Sequence, residues 1–249
     1  FGAGKLKRVS LADGTVVAVC DVPTQVGLFG TWGADGQILF APVDGQAISR
    51  VSVATGTPEP IVRPDRSRNE ARVLWPSFLP DGRRFIYLVA DATGSRRLML
   101  STPGQPPREL LPIASNAAYV EPGYLVHARE GALLAQRFDL SSGTTSGEPV
   151  SIADSVAYFG GSGRAIFSAS QSGAIAYQSH RNESRLAWFD RTGEDHGTVV
   201  ETDASGSPWA PRVSPDGGQA LFDRDHPATS FDQWVIDLER GVPRRLTAL

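Results

Sequence analysis

The segment Ser214-Pro215-Asp216-Gly217 is a complete four-residue turn and gives the first indication of the fold. Serine suits the first position of a type I turn, proline fixes φ at the second, and aspartate tolerates the third. Glycine takes the position that often needs a positive φ. A strand-like segment, Pro211–Val213, precedes the turn and another, Gln219–Phe222, follows it. The stretch therefore predicts a β-hairpin.

The same turn recurs along the chain, and its glycine is the clearest marker. The turn glycines are spaced 41 to 50 residues apart, at Gly36, Gly82, Gly123, Gly173 and Gly217. A short apolar run follows each of them, such as Phe85–Val89 after the second. Runs this short, bounded by turn residues, are typical of buried strands rather than helices.

A second series of glycines supports this repeat. Its members are Gly14, Gly56, Gly104, Gly143, Gly193 and Gly241, and each follows a strand-like segment. Within a repeat the two glycines lie 20 to 24 residues apart, and a further short strand such as Arg108–Leu111 comes after the second. Four strands in roughly 40–50 residues are typical of a β-propeller blade. One such sheet cannot bury both faces alone, so blades stack on one another.

The repeats predict an all-β protein, a single β-propeller of four-stranded antiparallel blades. About five full blades and one partial N-terminal blade are expected. The expected boundaries are 1–28 (partial), 29–70, 71–113, 114–155, 156–203 and 204–249. Because Gly14 has no turn glycine before it, the chain is expected to be a fragment of a larger propeller.

Composition bounds the class of protein. The chain has 249 residues, of which 41% are hydrophobic and 20% charged, as in a soluble globular protein. With 26 glycines and 18 prolines spread throughout, long helices are disfavoured. The net charge is −3 without a basic stripe, which argues against a nucleic-acid partner. No apolar run approaches ~18 residues, so this chain itself is not expected to insert into a membrane.

The repeats resemble the WD-like repeats of the Tol-system periplasmic propeller. The shared pattern is proline, an apolar residue, Ser-Pro-Asp-Gly, an apolar strand, and an outer strand ending in Asp-Leu-x-x-Gly. The segment 211–241 fits this pattern almost throughout, and the segment 76–104 fits it well. The order of longer phrases is more specific. These are Trp75-Pro-Ser-Phe-Leu-Pro-Asp-Gly-Arg-Arg-Phe-Ile-Tyr87, Pro122-Gly-Tyr-Leu-Val126, Arg129-Glu-Gly-Ala-Leu-Leu-Ala-Gln136 and Leu186-Ala-Trp-Phe-Asp-Arg-Thr-Gly193. This succession resembles the C-terminal propeller of bacterial eukaryotic-like serine/threonine protein kinases.

That second resemblance implies a sensing or interaction role in an extracytoplasmic or periplasmic compartment. In such kinases a cytoplasmic kinase domain and a membrane helix precede the propeller, so the chain would be tethered through a missing N-terminal part. The expected partner is a protein or small-molecule ligand at the propeller face. Two alternatives remain open: the substrate-gating propeller of a prolyl-oligopeptidase-like peptidase, and a free-standing periplasmic scaffold like the Tol-system protein.

The chain itself is not expected to be an enzyme. It lacks a kinase Gly-rich loop with its lysine strand, His-Arg-Asp, Asp-Phe-Gly and a Gly-x-Ser-x-Gly elbow. Walker, His-Glu-x-x-His, Cys-x-x-Cys and EF-hand patterns are also absent. We therefore predict no catalytic, cofactor or metal site, and the single Cys20 forms no internal disulfide.

Two histidines lie beside carboxylates, a combination that also occurs in metal and acid/base sites. They occur in Glu194-Asp195-His196 and Asp223-Arg224-Asp225-His226; the other histidines are His127 and His180. Ligand spacing on a rigid element is missing, so polar loops are the favoured interpretation. The aspartates Asp35, Asp81 and Asp216 occupy the same place in separate hairpins, which favours a structural role in the turn.

The candidate ligand-binding residues are Trp75 and Trp209. Most of the five tryptophans fall in or beside strands, where packing between blades is the favoured interpretation. These two precede an inner strand, near the expected mouth of the axial funnel, where pockets are common. A basic cluster from Arg63 to Arg72 lies in an inter-blade connector and is either a solvated loop or a docking surface for an acidic partner.

Overall fold

The structure, a computed structural model, describes residues 4–22, 28–42, 44–170, 172–179, 184–201, 207–226 and 230–247. The chain divides into two compact units. Unit 1 comprises Phe1–Val156 and Ala165–Gln178, and unit 2 comprises Ala157–Arg164 and Ser179–Leu249. Within the described ranges, no helix has the length and hydropathy needed to cross a membrane.

Unit 1 contains three four-stranded antiparallel blades, each with its strands in chain order. Blade 1 follows an N-terminal hairpin of β1 (Lys5–Val9) and β2 (Val16–Asp21), and consists of β3 (Leu28–Trp32), β4 (Gln37–Pro42), β5 (Ile48–Ser52) and β6 (Glu59–Val62). Blade 2 consists of β7 (Glu70–Phe78), β8 (Phe85–Asp91), β9 (Arg96–Ser101) and β10 (Arg108–Leu111), after a 3-10 turn at Arg66–Arg68. Blade 3 consists of β11 (Ala117–Val120), β12 (Tyr124–Arg129), β13 (Ala132–Asp139) and β14 (Thr144–Ala153).

The remaining strands complete the description of the chain. Two short strands, β15 (Tyr158–Phe159) and β16 (Arg164–Ala165), precede the hairpin of β17 (Phe167–Ala169) and β18 (Ile175–Tyr177) in unit 1. Unit 2 contains the hairpin of β19 (Leu186–Phe189) and β20 (Asp195–Val200). It also contains a fourth four-stranded sheet, blade 4, made of β21 (Ser207–Val213), β22 (Gln219–His226), β23 (Ser230–Asp237) and β24 (Pro243–Arg245). These sheets confirm the predicted fold class, all-β with four-stranded antiparallel propeller blades.

The turn aspartates Asp35, Asp81 and Asp216 stabilise the turns in which they lie. The Oδ1 atom of each accepts a hydrogen bond from the backbone N–H two residues on: Gln37 for Asp35 at 3.1 Å, Arg83 for Asp81 at 2.9 Å, and Gly218 for Asp216 at 3.0 Å. This local bond mimics a backbone turn and needs no distant partner. It explains why the turn sequence recurs with the hairpins.

Packing in unit 1 places β8 between two interfaces. Every residue of β8 except the last is buried, and its side chains alternate between two clusters. Phe85, Tyr87 and Val89 pack toward Leu39 and Ile48 of blade 1. In contrast, Ile86 joins Leu98 and Leu100 in packing against Tyr119, Leu125 and Phe138 of blade 3. Because both faces of the strand are covered, its sequence is an unbroken apolar run rather than an alternating one.

The third-to-fourth-strand turn of blade 1 packs against β2, and Gly56 makes that approach possible. A Cβ at Gly56 would lie 2.7 Å from the Val19 carbonyl oxygen, and its φ is +68°. The corresponding turn of blade 2 has Gly104 at φ +74°, where a Cβ would meet nothing within 4 Å.

This pair gives a matched test of the turn packing. Gly104→Ala is expected to lower the free energy of unfolding by about 1–2 kcal/mol, because L residues are strained at positive φ. Gly56→Ala carries the same strain and also collides with backbone, so we expect an additional ~1–3 kcal/mol. Urea unfolding of both variants measures the difference. Equal losses would contradict the close approach of Gly56 to β2.

Candidate functional site

Trp75 lies in a bulge of β7. Leu74 pairs with Leu88 and Ser77 pairs with Ile86, so Trp75 and Pro76 together face a single residue of the neighbouring strand. Proline has no N–H for the ladder, and the bulge accommodates it. Trp75 adopts a φ of 54°, in the left-handed region that non-glycine residues rarely occupy. Such backbone strain costs about 1–3 kcal/mol and is concentrated at functional sites.

The ring of Trp75 stacks on Phe29 of blade 1. The two ring centroids lie 3.6 Å apart with an interplanar angle of 25°. Both residues are half-buried and lie on the first strands of their blades, β3 and β7, which contact each other. The pair forms one aromatic surface where the first strands of blades 1 and 2 meet.

Sequence reasoning singled out Trp75 and missed Phe29. The repeat itself contained the signal, since Phe29 stands six residues before Asp35 and Trp75 six residues before Asp81. Equivalent positions on adjacent blades lie side by side when blades stack around an axis. Aligning the turns, rather than comparing the tryptophans, would have placed Phe29 beside Trp75.

Trp209 occupies a related bulge in unit 2. The register of β21 shifts between Trp209 and Arg212, and Ala210, directly before Pro211, takes a φ of 50°. Ala210 is therefore the blade 4 equivalent of Trp75, and Trp209 stands one position earlier. The Trp209 side chain is 44% exposed. The two predicted tryptophans thus lie in different units and are not equivalent, and their ligand-binding role stays a prediction.

A cleft of about 640 Å³ opens between blades 1 and 2. Its floor is apolar, formed by Leu39, Ile61, Phe78 and Phe85. Its rim is polar and comes from turns and strand ends, namely Asp35, Gln37, Arg50, Ser52, Thr55, Thr57, Glu59 and Arg83. The turns concerned connect first to second strands and third to fourth strands, so the cleft lies on the side of unit 1 that carries these turns. No local sequence pattern marks this cleft.

In the described segment 194–196, the histidine contacts a carboxylate from outside the segment rather than its neighbour Asp195. His196 approaches Asp190, with 3.3 Å between Nε2 and Oδ2, whereas Asp195 pairs with Arg185. Asp190, Glu194 and His196 place ligand atoms within 4.8 Å of one another, all exposed. Asp190 Oδ1 already accepts hydrogen bonds from Thr192 and Glu194 of its own turn. The bonds from Thr192 are the main cause that lowers the pKa of Asp190 to about 2. His180 and the side chains of Asp225 and His226 lie outside the described residues.

His127 is the buried histidine of the described chain. Its side chain is on β12 and is 2% exposed, and its Nδ1 atom has no hydrogen-bond partner among the residues that the structure describes. The pKa of His127 is lowered to about 4. Burial is the main cause, and the charge of Arg129 contributes in the same direction. The imidazole is therefore neutral near pH 7 and forms part of the core.

The basic connector between blades 1 and 2 is held by acidic residues. Asp65 caps the 3-10 turn, its Oδ1 accepting from the Ser67 backbone N–H at 2.9 Å. The buried Glu70 accepts from the Asp65 backbone N–H at 2.9 Å and pairs with Arg97 at 2.7 Å. Arg63, Arg66 and Arg68 remain exposed on the outside of this connector.

Several solved structures resemble this chain at low sequence identity. TolB from Acinetobacter baumannii is 18% identical over 98% of this chain with a TM-score of 0.49, and the chain spans 59% of that protein's length. A gluconolactonase from Xanthomonas campestris is 13% identical over 88% of this chain and 75% of its own, with a TM-score of 0.50. A prolyl endopeptidase is 14% identical over 98% of this chain and 39% of its own, with a TM-score of 0.42. No protein-family model and no curated protein matches the chain. At these identities the likeness concerns the fold alone.

Proposed function

We propose that this chain is a non-catalytic binding propeller that recognises a protein or small-molecule ligand near Trp75. In this proposal it is the extracytoplasmic sensor part of a receptor-like serine/threonine kinase and is tethered to the inner membrane by a segment outside this chain. The binding role rests on one observation. A strained tryptophan on the first strand of blade 2 is stacked on Phe29, at the meeting point of two blades.

The aromatic pair suits recognition for physical reasons. Aromatic rings supply a large contact area with little conformational entropy to lose, and the stack leaves Trp75 less freedom still. The positive φ is maintained by the surrounding sheet at a cost in stability. The kinase association is supported by the order of the phrases from Trp75 to Gly193 in the sequence.

The complete reading frame on both sides of residues 1–249 tests the kinase association. An upstream kinase domain followed by a membrane helix is the expected result. A downstream domain with a Gly-x-Ser-x-Gly elbow would instead make the propeller the substrate gate of a peptidase. A short frame with a signal peptide and neither enzyme domain would make it a periplasmic scaffold. Either of the last two results overturns the sensor proposal.

The binding role is tested separately in the intact parent protein. We expect Trp75→Ala to change autophosphorylation by at least about fivefold, because loss of ligand recognition removes the coupling between propeller and kinase. Trp32→Ala is the matched control, since Trp32 also lies in a first strand, is 56% exposed and is outside the aromatic pair. Circular dichroism confirms that each variant is folded. Equal activity in both variants and the parent would contradict a role for Trp75.

A further inference from the structure

The cleft between blades 1 and 2 has a lining whose charges balance. Asp35 and Glu59 are offset by Arg50 and Arg83. Arg50 and Glu59 are paired with each other across neighbouring strands, with 3.1 Å between Nε and Oε1. Arg83 is exposed and pairs with no carboxylate among the residues that the structure describes. A lining of zero net charge favours an uncharged ligand over an acidic or basic one.

The rim also combines donors and acceptors within a small space. Ser52, Thr55 and Thr57 present hydroxyl groups, and Gln37 presents an amide. Hydroxyl groups and amides both donate and accept hydrogen bonds. The guanidinium groups add strong donors, and the carboxylates add strong acceptors. Such a mixture matches the vicinal hydroxyl groups of a sugar, each of which also donates and accepts.

The floor supplies the complementary apolar surface. Phe78 and Ile61 are half-buried and supply the accessible apolar surface, and they pack against the buried Leu39 and Phe85. Pyranose rings have one face made largely of C–H groups, which packs against apolar and aromatic side chains. The volume of about 640 Å³ falls within the range of small-ligand sites.

Both walls of the cleft are held in place before any ligand arrives. Asp81 accepts hydrogen bonds from the backbone N–H groups of Arg83 at 2.9 Å and Arg84 at 2.8 Å, which fixes the turn that presents Arg83. On the opposite wall, Ser52 Oγ accepts from the Ala54 N–H at 3.2 Å, and its own hydroxyl proton remains available to a ligand. Fixed walls reduce the entropy lost on binding.

We propose that this cleft binds a short neutral oligosaccharide, whose C–H face packs on the half-buried Phe78 and Ile61. Its hydroxyl groups then hydrogen-bond to the rim, with Arg83 and Thr57 as direct contacts from opposite walls. The site is separate from the Phe29–Trp75 pair, so it does not depend on the function proposed above.

The test measures binding of defined oligosaccharides to the chain by saturation-transfer NMR and calorimetry. The neutral probes are maltohexaose, cellohexaose and chitohexaose, and the charged probe is trigalacturonate. We expect at least one neutral probe to bind with a Kd below about 1 mM and more tightly than the charged probe. Arg83→Ala and Thr57→Val, both at exposed positions, are each expected to weaken that binding by about tenfold.

Arg63→Ala is the matched control, because Arg63 is an exposed arginine outside the cleft. The affinity of this variant for the neutral probe should stay within about twofold of that of the parent chain. Thermal unfolding shows whether each variant keeps its fold. The proposal is overturned if none of the neutral probes binds, if trigalacturonate binds more tightly, or if Arg63→Ala weakens binding as much as Arg83→Ala does. Loss of neutral-sugar binding in Trp75→Ala alone would place the sugar at the aromatic pair and would also overturn it.

Discussion

Ile86→Ala is expected to lower the free energy of unfolding by about 4 kcal/mol. Ile86 is fully buried on β8 and packs in the cluster shared by blades 2 and 3. The substitution loses the transfer free energy of the removed carbons and leaves a cavity between two sheets that cannot collapse freely. Urea unfolding followed by far-UV circular dichroism measures the loss.

Val150→Ala is the control for that experiment. Val150 lies on β14, the outermost strand of blade 3, and its side chain is 63% exposed. Its truncation should change stability by no more than about 0.5 kcal/mol. If Ile86→Ala cost less than about 1 kcal/mol, the interface between blades 2 and 3 would not be the packed core that the structure shows.

Stability is expected to fall by about 3 kcal/mol between pH 6.5 and pH 4 through His127 alone, since its pKa drops from 6.5 to about 4 on folding. Above pH 6.5 the imidazole is neutral in both states and its contribution is complete. Below that pH the unfolded chain binds a proton that the buried, neutral imidazole does not. The loss therefore grows as the pH falls and is complete below the folded-state pKa. Urea unfolding at a series of pH values measures it.

Two variants separate this effect from the titration of carboxylates. His127→Met removes the group but keeps an apolar side chain of similar size, so its stability should depend less steeply on pH in this window. Ile86→Ala should shift the whole curve downward and leave its pH dependence unchanged, because it removes no titrating group. If His127→Met and the parent chain gave parallel curves, His127 would not be buried as a neutral imidazole.

The hairpins follow from the sequence because their determinants are local. In Ser214-Pro215-Asp216-Gly217 the aspartate bonds to the N–H two residues on, and Gly217 takes a φ of +76°. Every hydrogen-bond partner in the turn lies within a few residues, so this short sequence favours the turn on its own. Repetition of the turn, with short apolar runs between, was then enough to predict four-stranded blades.

The candidate sites depend on contacts that no local pattern encodes. Phe29 meets Trp75 only because the first strands of blades 1 and 2 pack side by side. Similarly, His196 contacts Asp190 rather than its sequence neighbour Asp195, because the hairpin places Asp190 beside it. Asp195 instead pairs with Arg185.

The turns, the strands and the all-β blade architecture are predictable from the order of residues, since the hydrogen bonds and φ preferences behind them act over a few residues. Which side chains share a surface depends instead on how the blades pack. The cleft takes its walls from residues 35–61 and 78–103, and its floor from strands of two blades. Those residues come together through sheet register and the stacking of one buried face on another, which act between segments far apart in the chain.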